Sequence, residues 1–187
     1  MAPGSVGVVM TSRHAFGLSV HPLGTHRPHT LRRRSGLLLL LCLVTPFRRV
    51  NADPLFAAKV DYPAAAFPSS VAIGDLNGDA KPDLVAAGSP NTLSVLLGNG
   101  DGTFAAKVNY GTVAGASSVA IGDLNGDGKP DLVASNYNAV SPSVSVLLGN
   151  GDGTFGPKSD YGTGSRPNSV AIGDLNGDGK PDLAVAN

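Results

Sequence analysis

The chain of 187 residues has no tryptophan, no glutamate and one cysteine, Cys42. Its histidines all lie in the first 29 residues, at His14, His21, His26 and His29. Beyond residue 52 there is therefore no Ser/His or Cys/His nucleophile system and no histidine ligand for zinc. A pair of carboxylates could still act as acid and base, because aspartate is plentiful. The aspartates fall in repeated turn-like loops, however, so we expect that the chain is not an enzyme.

Charge is distributed unevenly along the chain. The seven arginines before residue 53 have no acidic residue among them. All fourteen acids are aspartates from Asp53 onward, where seven Lys and Arg leave a net charge of −7. A surface of that sign repels nucleic acid and anionic lipid and suits cations. We expect no nucleic-acid partner.

The N-terminal part resembles a targeting segment. Three arginines at residues 32–34 precede an apolar run at residues 36–44, and small residues at 50–52 suit a signal peptidase. The apolar run is shorter than the roughly 20 residues that span a bilayer. We predict that residues 1–52 are a signal removed after Ala52, with no membrane span left, and that the chain is secreted or held at the cell surface, extracellular or periplasmic.

A repeat of about fifty residues fills the rest of the chain. The stretch Val-Ala-Ile-Gly-Asp-Leu-Asn-Gly-Asp begins at Val71, Val119 and Val170, and Leu-Leu-Gly-Asn-Gly-Asp-Gly-Thr-Phe begins at Leu96 and Leu147. The spaced residues Phe, Lys and Tyr recur in three sets: Phe56, Lys59 and Tyr62; Phe104, Lys107 and Tyr110; Phe155, Lys158 and Tyr161.

Each period contains four short apolar or β-branched runs bounded by Gly, Asn, Asp and Pro, which is typical of strands. In the second copy these predicted strands are residues 118–124, 132–135, 143–148 and 154–161. No helical period occurs after residue 52. Four strands in about fifty residues is the size of one propeller blade. We predict an all-β fold of four-stranded antiparallel blades, an incomplete propeller of about 2.5–3 blades.

Each repeat carries a loop of the form Asp-x-Asn-x-Asp-x-x-x-Asp. Alternate residues of such a loop can turn oxygens inward, and Ca²⁺ takes six to eight oxygens from carboxylates, amides and backbone carbonyls. We expect the lysine at position 7 to contribute its backbone carbonyl, and we expect the ammonium of Lys129 to stay in water. The predicted ligands are Asp75, Asn77, Asp79, Lys81, Asp83, Asp123, Asn125, Asp127, Lys129, Asp131, Asp174, Asn176, Asp178, Lys180 and Asp182.

The alternative is an acidic turn that binds nothing. Three copies that each gather three carboxylates would repel strongly without a cation, so we favour metal, about three ions per chain. The all-oxygen donor set favours Ca²⁺ over Mg²⁺. Position 6 is Gly128 and Gly179 in two loops but Ala80 in the first. A Cβ is costly there if φ must be positive, so the first site is expected to be the weakest.

Two other features have simpler interpretations. The glycine-rich segments at residues 98–102 and 149–153 could bind metal or phosphate, but Asn-Gly and Asp-Gly between strands first indicate hairpin turns. The four tyrosines could form a sugar-stacking set, but such residues more often fill space between blades. They are Tyr62, Tyr110, Tyr137 and Tyr161.

Together the metal loop and the Leu-Leu-Gly-Asn-Gly-Asp-Gly-Thr-Phe segment resemble the FG-GAP and VCBS repeats of secreted bacterial proteins and, more distantly, the propeller of integrin α subunits. The resemblance covers residues 53–187, with blades near 63–110 and 111–161 and a partial blade at 162–187. It implies a β-propeller, usually of seven blades, with one calcium in the hairpin between the first two strands of a blade. The literal Phe-Gly…Gly-Ala-Pro signature is absent. These blades are too few to close a ring, so we expect self-association or further blades.

The function expected from this resemblance is a secreted calcium-binding propeller module that acts in extracellular protein interaction or adhesion, with structural calcium. A lectin-like carbohydrate-binding module is an alternative, so the ligand is an extracellular protein or a glycan. An accessory module of a larger secreted enzyme is a further alternative.

Overall fold

The computed structural model describes residues 5–8 and 57–187 of the chain. Every regular element in these residues is a β-strand, as predicted. The strands are β1 (Ser5–Val8), β2 (Val60–Pro63), β3 (Pro68–Gly74), β4 (Asp83–Gly88), β5 (Thr92–Leu96), β6 (Val108–Gly111), β7 (Ala116–Gly122), β8 (Asp131–Asn136), β9 (Ser143–Leu147), β10 (Ser159–Gly162), β11 (Ser169–Gly173) and β12 (Asp182–Ala186). The predicted targeting segment and its cleavage point lie outside the described residues, apart from β1. No helix capable of crossing a membrane occurs in the described part of the chain.

The strands form two complete four-stranded sheets and two two-stranded sheets. One complete sheet has the order β3-β4-β5-β6 and the other has the order β7-β8-β9-β10, all antiparallel. The pairs β11-β12 and β1-β2 are also antiparallel. Consecutive antiparallel strands in groups of four, without closure into a ring, form an incomplete propeller, which confirms the predicted fold class.

The middle strands of each complete sheet are buried because they have neighbours on both edges and on both faces. All six residues of β4 and all six of β8 are buried. Their pairing repeats as well, since Leu84 lies opposite Leu96 and Leu132 lies opposite Leu147. The repeat in sequence is thus a repeat in register.

All four strands of the second repeat have bounds that differ from the predicted ones, and the first and fourth differ most. The first strand begins at Ala116 and ends at Gly122, where the Asp-rich loop begins. The fourth is only Ser159–Gly162, because Phe155 makes an isolated bridge to Gly149 and a proline interrupts the chain two residues later.

The first strands of the sheets, β3, β7 and β11, are neighbours. Near their starts, Ser70 Oγ accepts the N–H of Val119 at 3.3 Å. Near their ends, a Cβ built on Gly74 would lie 3.2 Å from Cδ1 of Ile121. The strands therefore run in the same direction. The Asp-rich loops that follow them leave from one end of the fold.

Candidate metal-binding loops

Each Asp-rich loop joins the first strand of a sheet to the second. Residues 75–83 join β3 to β4, residues 123–131 join β7 to β8, and residues 174–182 join β11 to β12. The hairpin position implied by the family resemblance is therefore the observed one. The strand ends fix the two ends of every loop.

The aspartate at position 1 organises the loop by accepting backbone N–H groups. In the second loop, Asp123 Oδ1 accepts from Gly126 at 2.7 Å and from Asp127 at 3.1 Å, while Oδ2 accepts from Gly128 at 2.8 Å. Asp75 and Asp174 accept from the equivalent glycine at position 4 and the equivalent residue at position 6. The chain thereby wraps around a single carboxylate.

These hydrogen bonds stabilise the charged form of the carboxylate. The backbone N–H of Gly128 lowers the pKa of Asp123 below its ordinary value, against the opposing effect of desolvation. The backbone N–H of Gly179 lowers the pKa of Asp174 in the same way. Both carboxylates are therefore ionised at neutral pH and can meet a cation without first losing a proton.

Positions 3 and 5 continue the same pattern. Asn125 Oδ1 accepts the N–H of Asp127 at 2.9 Å, and Asp127 Oδ1 accepts the N–H of Lys129 at 2.9 Å. Each of these oxygens has a second lone pair. In the first loop the ammonium of Lys81 lies 3.1 Å from Asp79 Oδ2, so this lysine also pairs with a carboxylate of its own loop.

The aspartate at position 9 has a structural role that the sequence did not reveal. Asp131 is fully buried, and its Oδ2 accepts the N–H of Leu124 at 2.9 Å while its Oδ1 accepts the N–H of Gly149 at 2.8 Å. Asp83 is buried in the same way, with equivalent bonds from Leu76 and Gly98. This carboxylate ties the Asp-rich loop to the glycine-rich turn of the same sheet.

Position 6 requires a left-handed backbone in every loop. The φ angle is +79° at Gly128 and +80° at Gly179, and Ala80 in the first loop is held at +61°. The expectation that a Cβ would meet a positive φ at this position is confirmed. That the first loop is the weakest site remains a prediction.

The structure brings positions 1, 3 and 5 of each loop together through hydrogen bonds and, in the first two loops, turns position 9 toward the glycine-rich turn. In the described residues, no group of three or more Asp, Glu, His or Cys side chains is arranged to hold a metal ion. Positions 1, 3 and 5 of a loop thus carry two carboxylates and one amide oxygen. Oxygen donors of these types are those that Ca²⁺ takes.

Two stretches of the chain, residues 75–134 and 123–185, match the FG-GAP-like repeat. Each match begins at the aspartate in position 1 of a loop, and together they cover more than half of the chain. The chain belongs to the FG-GAP-like repeat family. A comparison with curated proteins found no significant match. Each repeat of the family therefore begins at an Asp-rich loop and continues through the strands that follow it. The observed four-stranded sheets make the protein a propeller-like repeat module.

The glycine-rich segment of each FG-GAP-like repeat is a hairpin turn, as predicted. Gly98 and Phe104 form an antiparallel bridge, and the N–H of Asn99 donates to the carbonyl of Thr103 at 2.9 Å. Asp101 Oδ1 accepts both the hydroxyl and the N–H of Thr103, which lowers the pKa of this carboxyl. This oxygen is therefore used within the turn.

Two of the four tyrosines fill space between successive FG-GAP-like repeats. Tyr62 meets Phe104 edge to face with ring centroids 5.0 Å apart, and Tyr110 meets Phe155 at 5.4 Å. Tyr137 and Tyr161 are 39% and 57% exposed. The interpretation that these tyrosines fill space between blades is thus confirmed for Tyr62 and Tyr110.

Proposed function

We propose that this FG-GAP-like module binds about three calcium ions in its Asp-rich loops and acts in extracellular protein interaction or adhesion, with calcium as a structural element. The observation that carries this proposal is that three separate loops wrap around their first aspartate by the same hydrogen bonds. One such loop could be an ordinary acidic turn. Three loops with the same hydrogen bonds indicate that this arrangement serves a common function.

The donor set supports calcium. Positions 1, 3 and 5 offer two carboxylates and an amide, and position 7 offers a backbone carbonyl, all of them oxygens. The carboxylate at position 9 has both oxygens engaged by backbone N–H groups in the first two loops, so it would contribute through a remaining lone pair. The lowered pKa values at Asp123 and Asp174 keep protons from competing with the ion.

Charge supports the same proposal. The loops hold nine of the fourteen aspartates in a region of net charge −7. Three Ca²⁺ ions would bring that charge to about −1, which relieves the repulsion between neighbouring carboxylates. Because the unfolded chain cannot gather the ligands, binding should stabilise the folded state.

The extracellular location and the partner class are also part of the proposal. FG-GAP repeats typically occur in extracellular domains, and this family membership supports secretion to the exterior or the cell surface. The acidic surface disfavours nucleic acid. No catalytic role is proposed, because residues 53–187 contain no histidine, cysteine or glutamate.

Calcium should raise the melting temperature of the protein. At a free concentration 100 times its dissociation constant, each independent site stabilises the fold by about 2.7 kcal/mol. For a folded region of this size that is a rise of several degrees or more. The measurement is thermal unfolding by circular dichroism in calcium, in magnesium and in chelator. An unchanged melting temperature on chelation would contradict the proposal.

A lectin-like role is the second candidate, and one cleft favours it. Phe67, Tyr137, Asn138 and Asn168 line an open cleft of about 230 Å³ at the ends of the first strands opposite the loops. Aromatic faces beside amide groups suit a sugar ring. A glycan array probed in calcium with the wild-type chain and Tyr137→Ala separates the two candidates, since only the lectin role predicts glycan binding that Tyr137→Ala abolishes.

A further inference from the structure

The second glycine-rich turn, residues 149–153, is bound at its start to the second Asp-rich loop. The N–H of Gly149 donates to Oδ1 of Asp131 at 2.8 Å. Oδ2 of the same carboxylate accepts the N–H of Leu124, which is position 2 of the loop, at 2.9 Å. Asp131 is fully buried, so water does not replace it as the acceptor for either N–H group. The start of the turn is thus fixed by position 9 of the second loop.

The end of the same turn is bound to the first repeat. The N–H of Gly153 donates to the carbonyl of Leu76 at 3.1 Å. A Cβ built on Gly153 would lie 2.8 Å from Cδ2 of Leu97, so the turn lies against the first repeat without room for a side chain. Phe155, just after the turn, packs on the ring of Tyr110 and donates its N–H to the Tyr110 hydroxyl at 3.3 Å. The second glycine-rich turn therefore bridges the two repeats.

Leu76, which accepts the bond from this turn, lies inside the first Asp-rich loop. It is position 2, between the predicted ligands Asp75 and Asn77. Its side chain is 1% exposed, and its N–H donates to Oδ2 of Asp83, position 9 of the same loop, at 2.8 Å. An ion held by positions 1, 3 and 9 would therefore fix the Leu76 peptide group, whose carbonyl holds Gly153.

We propose that the second glycine-rich turn couples calcium binding in the first two loops, so that an ion in either loop raises the affinity of the other. This coupling requires the calcium binding proposed above. The hydrogen bonds connect Leu76 to Gly153 at one end of the turn and Gly149 to Asp131 at the other. Fixing one loop reduces the conformational entropy that the turn and the other loop still lose when the second ion binds.

The sign of the coupling separates this link from simple electrostatics. Two cations in neighbouring loops repel each other, so charge alone would make the second ion bind more weakly. By linkage, the coupling factor is the same whichever loop fills first. Couplings between sites are typically about 5–150-fold, and we expect at least about fivefold here. The two loops would then fill over a narrower range of calcium concentration than independent sites.

A thermodynamic cycle measures the coupling factor in the full-length chain. Each loop is silenced by removing the charges at positions 1 and 5, and the third loop is silenced throughout. Calorimetry then gives the affinity of the first loop alone, of the second loop alone, and of both together. The coupling factor is the two-ion binding constant divided by the product of the two single-loop constants. The silencing pairs are Asp75→Asn with Asp79→Asn, Asp123→Asn with Asp127→Asn, and Asp174→Asn with Asp178→Asn.

Gly153→Ala should break the link, because its Cβ would meet Leu97 and push the turn away from Leu76. The coupling factor should fall at least about threefold. Gly151→Ala is the matched control, since φ is +83° at Gly151 and +82° at Gly153, which makes the backbone strain similar. The Cβ of this control meets only the flexible side chain of Lys129 in its own repeat, so its coupling factor should equal that of the wild-type turn. Direct repulsion between the ions is the same in all three turns.

Hydrogen exchange tests the link without altering the turn. When the second and third loops are silenced, calcium occupies the first loop only. It should still slow amide exchange at Gly149 and Gly153 in the second repeat, by at least about fivefold. The reference amide is Thr163, which donates to the carbonyl of Pro142 at 3.0 Å at the opposite end of β9 and β10. Its exchange should change little, because it reports only general stabilisation.

Three results would overturn the coupling. They are a factor of one or less with the wild-type turn, an equal factor in the wild-type and Gly153→Ala chains, and equal slowing of exchange at Gly153 and Thr163. In each case the single loops still bind calcium, so the proposed metal binding would stand. Absence of calcium binding in every folded chain would instead contradict both proposals.

Discussion

Replacing Asp131 with alanine should destabilise the fold by about 2–6 kcal/mol. The buried carboxylate accepts N–H groups from Leu124 and Gly149, and its removal leaves both donors without an acceptor. Each unsatisfied buried donor costs about 1–3 kcal/mol. The measurement is the free energy of unfolding from urea titration.

The equivalent residue of the third loop is the matched control. Asp182 is half-buried and accepts one N–H, from Leu175 at 2.9 Å. Asp182→Ala should cost about 0.5–1.5 kcal/mol, the net value of an ordinary hydrogen bond. Asp131→Asn, which keeps one acceptor oxygen, should lie between the two. Equal losses of unfolding free energy for Asp131→Ala and Asp182→Ala would show that the hydrogen bond to the glycine-rich turn contributes little to stability.

The second large effect is expected from Gly149→Ala. A Cβ on Gly149 would overlap the carbonyl oxygen of Pro130, which belongs to the backbone and cannot rotate away. The turn must shift and weaken the bond from Gly149 N–H to Asp131. Overpacking of about 1–3 kcal/mol and the weakened hydrogen bond together predict a loss of about 2–4 kcal/mol.

A second glycine distinguishes this steric effect from a general intolerance of side chains. A Cβ built on Gly162, at the end of β10, meets no atom of the described chain within 4 Å. Gly162→Ala should therefore change the free energy of unfolding by less than about 0.5 kcal/mol. If Gly149→Ala is as mild as Gly162→Ala, the two loops are not in the close contact described.

Much of the fold was predictable because the repeat constrains it. The loop beginning at Asp123 lies between a strand that ends at Gly122 and one that begins at Asp131, and the turn residues on either side delimit both. The positive φ at Ala80 followed from its equivalence to Gly128. Interactions between residues close in sequence set these features, so one sequence is enough to predict them.

Contacts between distant segments were not predictable in the same way. The sequence suggested Asp83 as a metal ligand, but its buried carboxylate accepts an N–H from Gly98, fifteen residues away. Only the packing of two hairpin ends brings these groups together. Likewise β1 pairs with β2 across more than fifty residues of sequence, and a strand of four residues gives no pattern that would predict this pairing.

A calorimetric titration of the full-length chain with calcium, with magnesium as the reference ion, is the most direct test of metal binding by the loops. Beside the wild type stands a variant with Asp79→Asn, Asp127→Asn and Asp178→Asn, which removes one charge per loop but keeps an oxygen to accept the lysine N–H at position 7. The control is Asp101→Asn with Asp152→Asn, in the glycine-rich turns.

Saturable binding of about three calcium ions is expected for the wild type and the control, with at least a tenfold lower affinity in the triple variant. No calcium binding by a folded wild-type chain, or equal affinity in the triple variant, would contradict it and leave the loops as acidic turns of an FG-GAP-like fold.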